Sequence, residues 1–184
     1  ANNLKGKRKT KFSCVRYGNV LGSRGSVVPK FIEQIQSQKK ITITNPKMTR
    51  FNITLDDALE LILHAIKFSR GNEVFIPKLK SYVLSDLVAS LKDMSPISFS
   101  QKNISLRPGE KMHELLLNEY EIKFSIESNG VYILLPSDFT NKSDIRKMYP
   151  KSKSLGLQVY SSDNVTHLSK NELKKNLIKN KFTI

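Results

Sequence analysis

The chain has 184 residues, enough to build one sizeable core. Its 39% hydrophobic and 26% charged residues read as a soluble globular chain, and apolar runs such as Leu61-Ile62-Leu63 are far too short to span a bilayer. One cysteine, Cys14, excludes a disulfide scaffold, and 31 Lys and Arg against 16 Asp and Glu leave a net charge of +15, which suits an anionic partner such as a nucleic acid, a membrane surface or a phosphorylated small molecule.

Residues 12–17 form a β-prone run that stops at Gly18. Gly22-Ser23-Arg24-Gly25-Ser26 is a flexible turn. The pattern Val27, Val28, Phe31, Ile32, Ile35 after it predicts a helix with Pro29 in its first turn. Residues 41–44 read as a second strand, Asn45-Pro46 as a turn, and residues 50–53 as extended chain. Thr54, followed by Asp56 and Asp57, opens the clearest helix. Leu55, Leu59, Ile62, Ala65 and Ile66 are its expected buried stripe, and Arg70-Gly71 its end. A short buried strand is expected at 74–76, an amphipathic helix at 84–94, and a β-type stretch at 97–106.

Residues 110–117 read as a short helix. Asn129-Gly130, between alternating apolar runs, signals a hairpin within 123–135. Residues 140–154 are polar and read as mobile. Ser169 and Glu172 make a capping box for a last helix carrying Leu173, Leu177 and Ile178. Strands and helices alternate through the first two-thirds, which argues for an α/β architecture. No Gly-x-Gly-x-x-Gly follows a strand, so the nucleotide-binding first half of a Rossmann sheet is absent from the chain.

No classical catalytic constellation is visible. His64 reads as structural or surface, and Glu110-Lys111-Met112-His113-Glu114 is not the two-His zinc helix of metalloproteases, so no metal site is expected. Cys14 reads as a buried, inert thiol. Ser23 and Ser26 do not form a nucleophile elbow. Anion chemistry is more promising. Arg24 lies in a Gly-Ser turn at a helix start, where backbone N–H groups face an anion. Arg50 and Arg107 stand at element ends and could converge on a diphosphate, although each also reads as a surface charge. Asn19, directly after a strand, fits either a ligand contact or a plain turn.

These residues sit in ordered motifs. The run from Val15 to Pro29 (Val-Arg-Tyr-Gly-Asn-Val-Leu-Gly-Ser-Arg-Gly-Ser-Val-Val-Pro) resembles the middle of the polysaccharide-biosynthesis nucleotide-sugar dehydratases. So do Ile43-Thr44, Met48-Thr49-Arg50-Phe51, Ile76-Pro77-Lys78, the run from Arg107 to Glu114, and Tyr160-Ser161-Ser162-Asp163-Asn164. These enzymes are extended short-chain dehydrogenase/reductases. The resemblance implies the C-terminal part of an NAD(P)-binding Rossmann-like fold with its substrate-binding subdomain. It implies inverting 4,6-dehydration of UDP-N-acetylglucosamine, toward pseudaminic acid. Family members carry a Gly-rich NADP-binding half, a Tyr-x-x-x-Lys pair and an Asp-Lys pair. None of these occurs in the family's position ahead of the Val15–Pro29 run (Tyr149 and Lys153 share the Tyr-x-x-x-Lys spacing but fall in the polar segment 140–154), and Ala1-Asn2-Asn3 resembles the tail of the helix that bears the family's Tyr and Lys.

Carried over residue by residue, the resemblance makes Asn19, Thr44, Arg50, Arg107, Glu110 and Thr166 substrate-binding residues. Arg50 and Arg107 would clamp the diphosphate, Glu110 would accept from ribose hydroxyls, and Thr44 would lie on the uridine side. Val20, Leu21, Gly22, Ser23 and Arg24 would border the nicotinamide end of an NADP held mainly by the missing half. No catalytic residue is expected in this chain, which would be inactive alone. The expected division is 1–136, the end of the sheet with the substrate subdomain, and 137–184, a tail with a mobile segment and a final helix. The N-terminus lacks an apolar signal core, so a cytoplasmic protein is expected, homo-oligomeric at full length, with a UDP-sugar and neither nucleic acid nor membrane as its partner. The alternatives are a UDP-sugar 4-epimerase of the same superfamily and a basic nucleic-acid-binding module. The latter rests on charge alone, without a helix-turn-helix, zinc-finger or RNP-type motif.

Overall fold

The structure is a computed structural model that describes residues 10–184, except 138, 140 and the side chain at 142. The expected helix tail at Ala1-Asn2-Asn3 lies outside the described residues. In chain order the elements are β1 (Cys14–Val15), β2 (Asn19–Val20), α1 (Val27–Gln36), β3 (Ile41–Ile43), β4 (Thr49–Ile53), α2 (Leu55–Phe68), β5 (Val74–Pro77), β6 (Ser81–Val83), α3 (Leu84–Met94), β7 (Gln101–Asn103), β8 (Leu115–Leu117), α4 (Glu119–Ile122), β9 (Ser125–Ser128), β10 (Val131–Leu134), α5 (Lys142–Met148), β11 (Lys153–Ser154), β12 (Tyr160–Ser161) and α6 (Lys170–Lys179). The fold is mixed α/β with parallel strand pairs, the class that the alternating pattern predicts. It divides into two interleaved units. The first gathers residues 10–17, Thr54–Lys78 and Leu115–Tyr160, and the second Gly18–Ile53, Leu79–Glu114 and Ser161–Ile184.

In the first unit a five-stranded sheet runs in the order β1-β5-β10-β9-β11, with β1 parallel to β5 and the remaining pairs antiparallel. The β9–β10 hairpin forms where expected. Asn129 and Gly130 have φ of 49° and 82°, the two positive values that a tight two-residue turn needs. Thr54 caps α2: its hydroxyl accepts from the Asp57 N–H at 3.1 Å, while the Asp57 carboxylate accepts from the Thr54 N–H at 3.2 Å.

The buried face of α2 differs from the expected stripe. Ala58, Leu61 and Ala65 face the core, while Leu55, Leu59 and Ile66 are exposed. Leu and Ile recur at helical spacing on two faces of this helix. The small Ala58 and Ala65 are what let one of those faces approach the sheet closely. Cys14 is exposed, not buried; among the described residues β1 pairs with β5 alone.

Two further expectations change. The short helix expected over 110–117 is replaced by strand β8, with Leu116 and Leu117 buried. The polar segment expected to be mobile carries α5, whose N-cap Asn141 accepts from the Ser143 N–H at 3.0 Å. Ile145, Met148 and the buried Tyr149 anchor it on the core of Leu61, Phe75 and Ile133. The Tyr149 hydroxyl donates to Glu73 at 2.8 Å. Glu73 is 1% exposed and also accepts from the Ser69 hydroxyl and the Arg70 and Gly71 N–H groups, so this buried carboxylate is fully occupied. Burial, then the bond to Glu73, pushes the Tyr149 phenol up, which keeps it a donor.

In the second unit β2 pairs parallel to β4, β4 antiparallel to β6, and β3 parallel to β7. Helix α1 buries Val28, Phe31 and Ile35, as its spacing predicts, and α3 forms over the expected residues. The β-type stretch shrinks to β7. Helix α6 starts in the expected capping box of Ser169 and Glu172 and buries Leu173 and Leu177 beside Leu87 and Leu91 of α3. Gly18 is required by packing, because a Cβ there would overlap the Phe51 side chain. Gly22 is required twice over: its φ is 77°, and a Cβ would run into the Phe182 ring.

Candidate functional site

The second unit holds a cavity of about 140 Å³. Strand β2 and the turn after it bring Asn19, Val20, Leu21 and Gly22 to its wall. Strand β4 brings Arg50 and Asn52, and β6 brings Tyr82. Period-2 alternation on β4 explains the choice. Thr49, Phe51 and Ile53 are buried, so Arg50 and Asn52 point the other way, toward the space. Glu110 closes one side and Ser26, at the start of α1, another.

Among the described residues Arg50 is the only cationic one on this wall, and it is 14% exposed. Its Nη1 donates to the carbonyls of Thr49 at 2.8 Å and Met112 at 3.2 Å. Its Nε lies 3.5 Å from the Glu114 carboxylate, and Nη2 lies 4.0 Å from Glu110. Glu110 is itself held in place. It accepts from the Thr44 hydroxyl at 3.0 Å and from the Arg107 backbone N–H at 3.2 Å. Burial pushes the Tyr82 phenol up to about 12, against a downward pull from Arg50, so it stays a neutral hydroxyl at the wall.

Of the sequence-derived candidates, Asn19, Val20, Leu21, Gly22, Arg50 and Glu110 thus meet on one wall. Thr44 joins through Glu110. Arg107 joins only through its backbone, since its side chain is exposed. Ser23 and Arg24 stand exposed on the turn. Thr166 is exposed and off this wall, where its carbonyl accepts from the Ser81 N–H at 3.2 Å.

Several site residues escape sequence reasoning. Ser26 Oγ and Asn52 Oδ1 are buried without a hydrogen-bond partner among the described residues, and both residues line the cavity. Behind Arg50, the Thr49 hydroxyl bonds His113 Nδ1 at 2.8 Å and the Ser162 hydroxyl at 2.6 Å. Thr49, His113 and Ser162 all lie in runs that carry the family resemblance, but nothing in their spacing announces that they meet.

Residues 1–136 match the model of the family described as polysaccharide biosynthesis protein. A relative from Campylobacter jejuni serotype O:2, named UDP-N-acetylglucosamine 4,6-dehydratase (inverting), is 38% identical over 171 residues. The match covers 89% of this chain and 50% of the relative. A relative from Rickettsia bellii named UDP-glucose 4-epimerase is 35% identical over 175 residues, covering 92% of this chain and 50% of the relative. The X-ray structure of Pen from Bacillus thuringiensis superimposes with a TM-score of 0.85 at 35% identity, covering 97% of this chain and 53% of Pen. The chain therefore spans about half the length of the curated relatives it matches. The Rossmann-like α/β class expected from the motifs holds. Motif order, fold and the converging wall agree, and the chain belongs to the polysaccharide biosynthesis protein family.

Proposed function

We propose that this chain is the nucleotide-sugar-anchoring part of an NADP-dependent, inverting 4,6-dehydratase that acts on UDP-N-acetylglucosamine in surface-polysaccharide or glycan biosynthesis, on the route to pseudaminic acid. The observation that carries the reading is the single wall on which Asn19, Arg50 and Glu110 meet. A diphosphate needs a cation with directed donors, and the planar guanidinium of Arg50 offers both. Arg107 contributes its backbone N–H, which holds Glu110; its exposed guanidinium would have to turn toward the cavity to serve as a second cation. Glu110 already accepts from the hydroxyl of Thr44, the interaction a ribose hydroxyl would make. The net charge of +15 draws the anionic ligand in.

Val20, Leu21 and Gly22 present aliphatic and backbone surface along the same cavity. A nicotinamide ring lies against such a wall without stranding a polar group, so these residues fit the expected cofactor. When bound, that cofactor supplies hydride transfer at C4 and C6 of the sugar. The chain's own residues hold the diphosphate, so that binding energy remote from the reacting carbons positions them. No residue here is assigned the catalytic proton transfers, and the chain alone is proposed to bind without turnover. Cytoplasmic location and a homo-oligomeric full-length protein belong to the same reading. Among the described residues no helix is long and apolar enough to cross a membrane. A 4-epimerase would use the same anchor; the 38% identity to the relative named as a dehydratase, against 35% to the one named as an epimerase, supports the former.

Calorimetric titration with UDP tests the reading. Saturable binding is expected, weakened about tenfold or more by Arg50→Ala, the usual scale for losing charge-assisted hydrogen bonds. Absence of UDP binding, with salt-sensitive RNA or DNA binding in its place, would overturn it in favour of the basic module.

A further inference from the structure

We infer that Ser162 is a positioning residue whose buried hydroxyl fixes the aim of Arg50, and through it the affinity of the cavity for a diphosphate; the second clause rests on the nucleotide-sugar reading above. Ser162 is 0% exposed and does not line the cavity. Its hydroxyl accepts from the Glu114 N–H at 2.8 Å, lies 2.6 Å from Thr49 Oγ1 and lies 3.2 Å from the Thr49 carbonyl. A hydroxyl has one proton and two lone pairs, and these neighbours use all three. In one consistent arrangement His113 Nδ1–H donates to Thr49 Oγ1, Thr49 donates to Ser162, and Ser162 donates to the Thr49 carbonyl.

The residues tied in this way are those that grip the guanidinium. Arg50 Nη1 donates to the Thr49 and Met112 carbonyls, and Nε faces the Glu114 carboxylate. The Thr49 N–H also donates to the Met112 carbonyl at 3.1 Å. Ser162 therefore pins β4 to residues 112–114, the two backbone segments between which Arg50 is held. Removing its hydroxyl strands the Glu114 N–H and lets those segments part, leaving Arg50 charged but no longer aimed. This gives the Tyr160-Ser161-Ser162-Asp163-Asn164 run a role that needs no contact with ligand.

Two readouts on the full chain test the inference. The first needs no ligand: the Arg50 Nε–Hε resonance in ¹⁵N NMR spectra, assigned by its loss in Arg50→Lys. It is expected to exchange at least about tenfold faster with solvent in Ser162→Ala than in the wild type, and to recover in Ser162→Thr. If the added methyl prevents Ser162→Thr from folding, Thr49→Val takes its place, since it removes the other hydroxyl of the 2.6 Å pair and is expected to quicken the same exchange. The second readout is calorimetric: Ser162→Ala is expected to weaken UDP about tenfold while leaving uridine within about twofold. General damage to the fold would weaken both alike. An unchanged Arg50 resonance together with an unchanged ratio of UDP to uridine affinity would overturn the positioning role. A wild-type chain that fails to bind UDP, while Ser162→Ala still disturbs Arg50, would overturn the nucleotide reading of the cavity and uphold the positioning role.

Discussion

Asn52 Oδ1 and Ser26 Oγ are buried, with no hydrogen-bond partner among the described residues, beside a cavity that also holds Arg50. Each stranded group costs about 1–3 kcal/mol in the absence of a ligand. Asn52→Leu is therefore expected to leave the melting temperature unchanged or raise it, since an apolar group no longer pays desolvation. If the sugar of a UDP-sugar supplies the missing donor, the same variant weakens UDP-N-acetylglucosamine about fivefold or more and leaves UDP itself unchanged. Melting curves and paired titrations check both halves, and equal weakening of the two ligands would move Asn52 away from the sugar. Residues of this kind were the least legible in the sequence. Asn19, Arg50 and Glu110 could be read because each lies within a contiguous motif. The link from Ser162 to Thr49 joins positions 113 apart, and no local pattern records it. Cys14 was misread for a related reason, because an apolar run does not reveal which strands will flank it.

Element boundaries were more legible than element faces. Helices α1, α3 and α6 form where the sequence predicts and α2 starts at the predicted cap, but α6 buries Leu173 and Leu177 and leaves Ile178 exposed. The face that α2 turns inward depended on which small residues the sheet could approach, a tertiary choice. That choice also half-buries His64. Its ring lies 4.5 Å from that of Phe68 and 6.0 Å from that of Phe75, and its Nε2 is buried without a partner among the described residues. Burial, and secondarily Lys67, hold the imidazole below its ordinary value of 6.5. Folding thus favours the neutral ring. The stabilisation is complete above the unfolded-state value near 6.5 and is lost as pH falls through the lower folded-state value. Melting temperature is expected to decline from pH 7.5 toward pH 5, and His64→Leu is expected to flatten that slope. Equal slopes in the two proteins would assign the acid sensitivity to other groups.

At the scale of the whole molecule, charge and apolar surface oppose each other. Leu55, Leu59, Leu63 and Ile66 recur at helical spacing along one side of α2 and are 50–73% exposed. Burying each fully is worth about 1.5–3 kcal/mol, so the stripe alone approaches the cost of bringing two chains together, about 4–15 kcal/mol. The net charge of +15 resists that approach at low ionic strength, where the Debye length is about 30 Å at 0.01 M. At 1 M it shrinks to about 3 Å and the repulsion is screened, while the apolar attraction remains. Sedimentation velocity is therefore expected to show a monomer at low salt and larger species at about 0.5–1 M salt, the reverse of what salt does to a nucleic-acid complex. The double variant Leu59→Lys, Ile66→Lys places two charges in the middle of the stripe and is expected to stay monomeric throughout. A wild-type chain that remains monomeric at high salt would show that the stripe is too small to overcome the entropy of association. Association that survives the double variant would point away from α2 and toward β1, which pairs with β5 alone among the described residues.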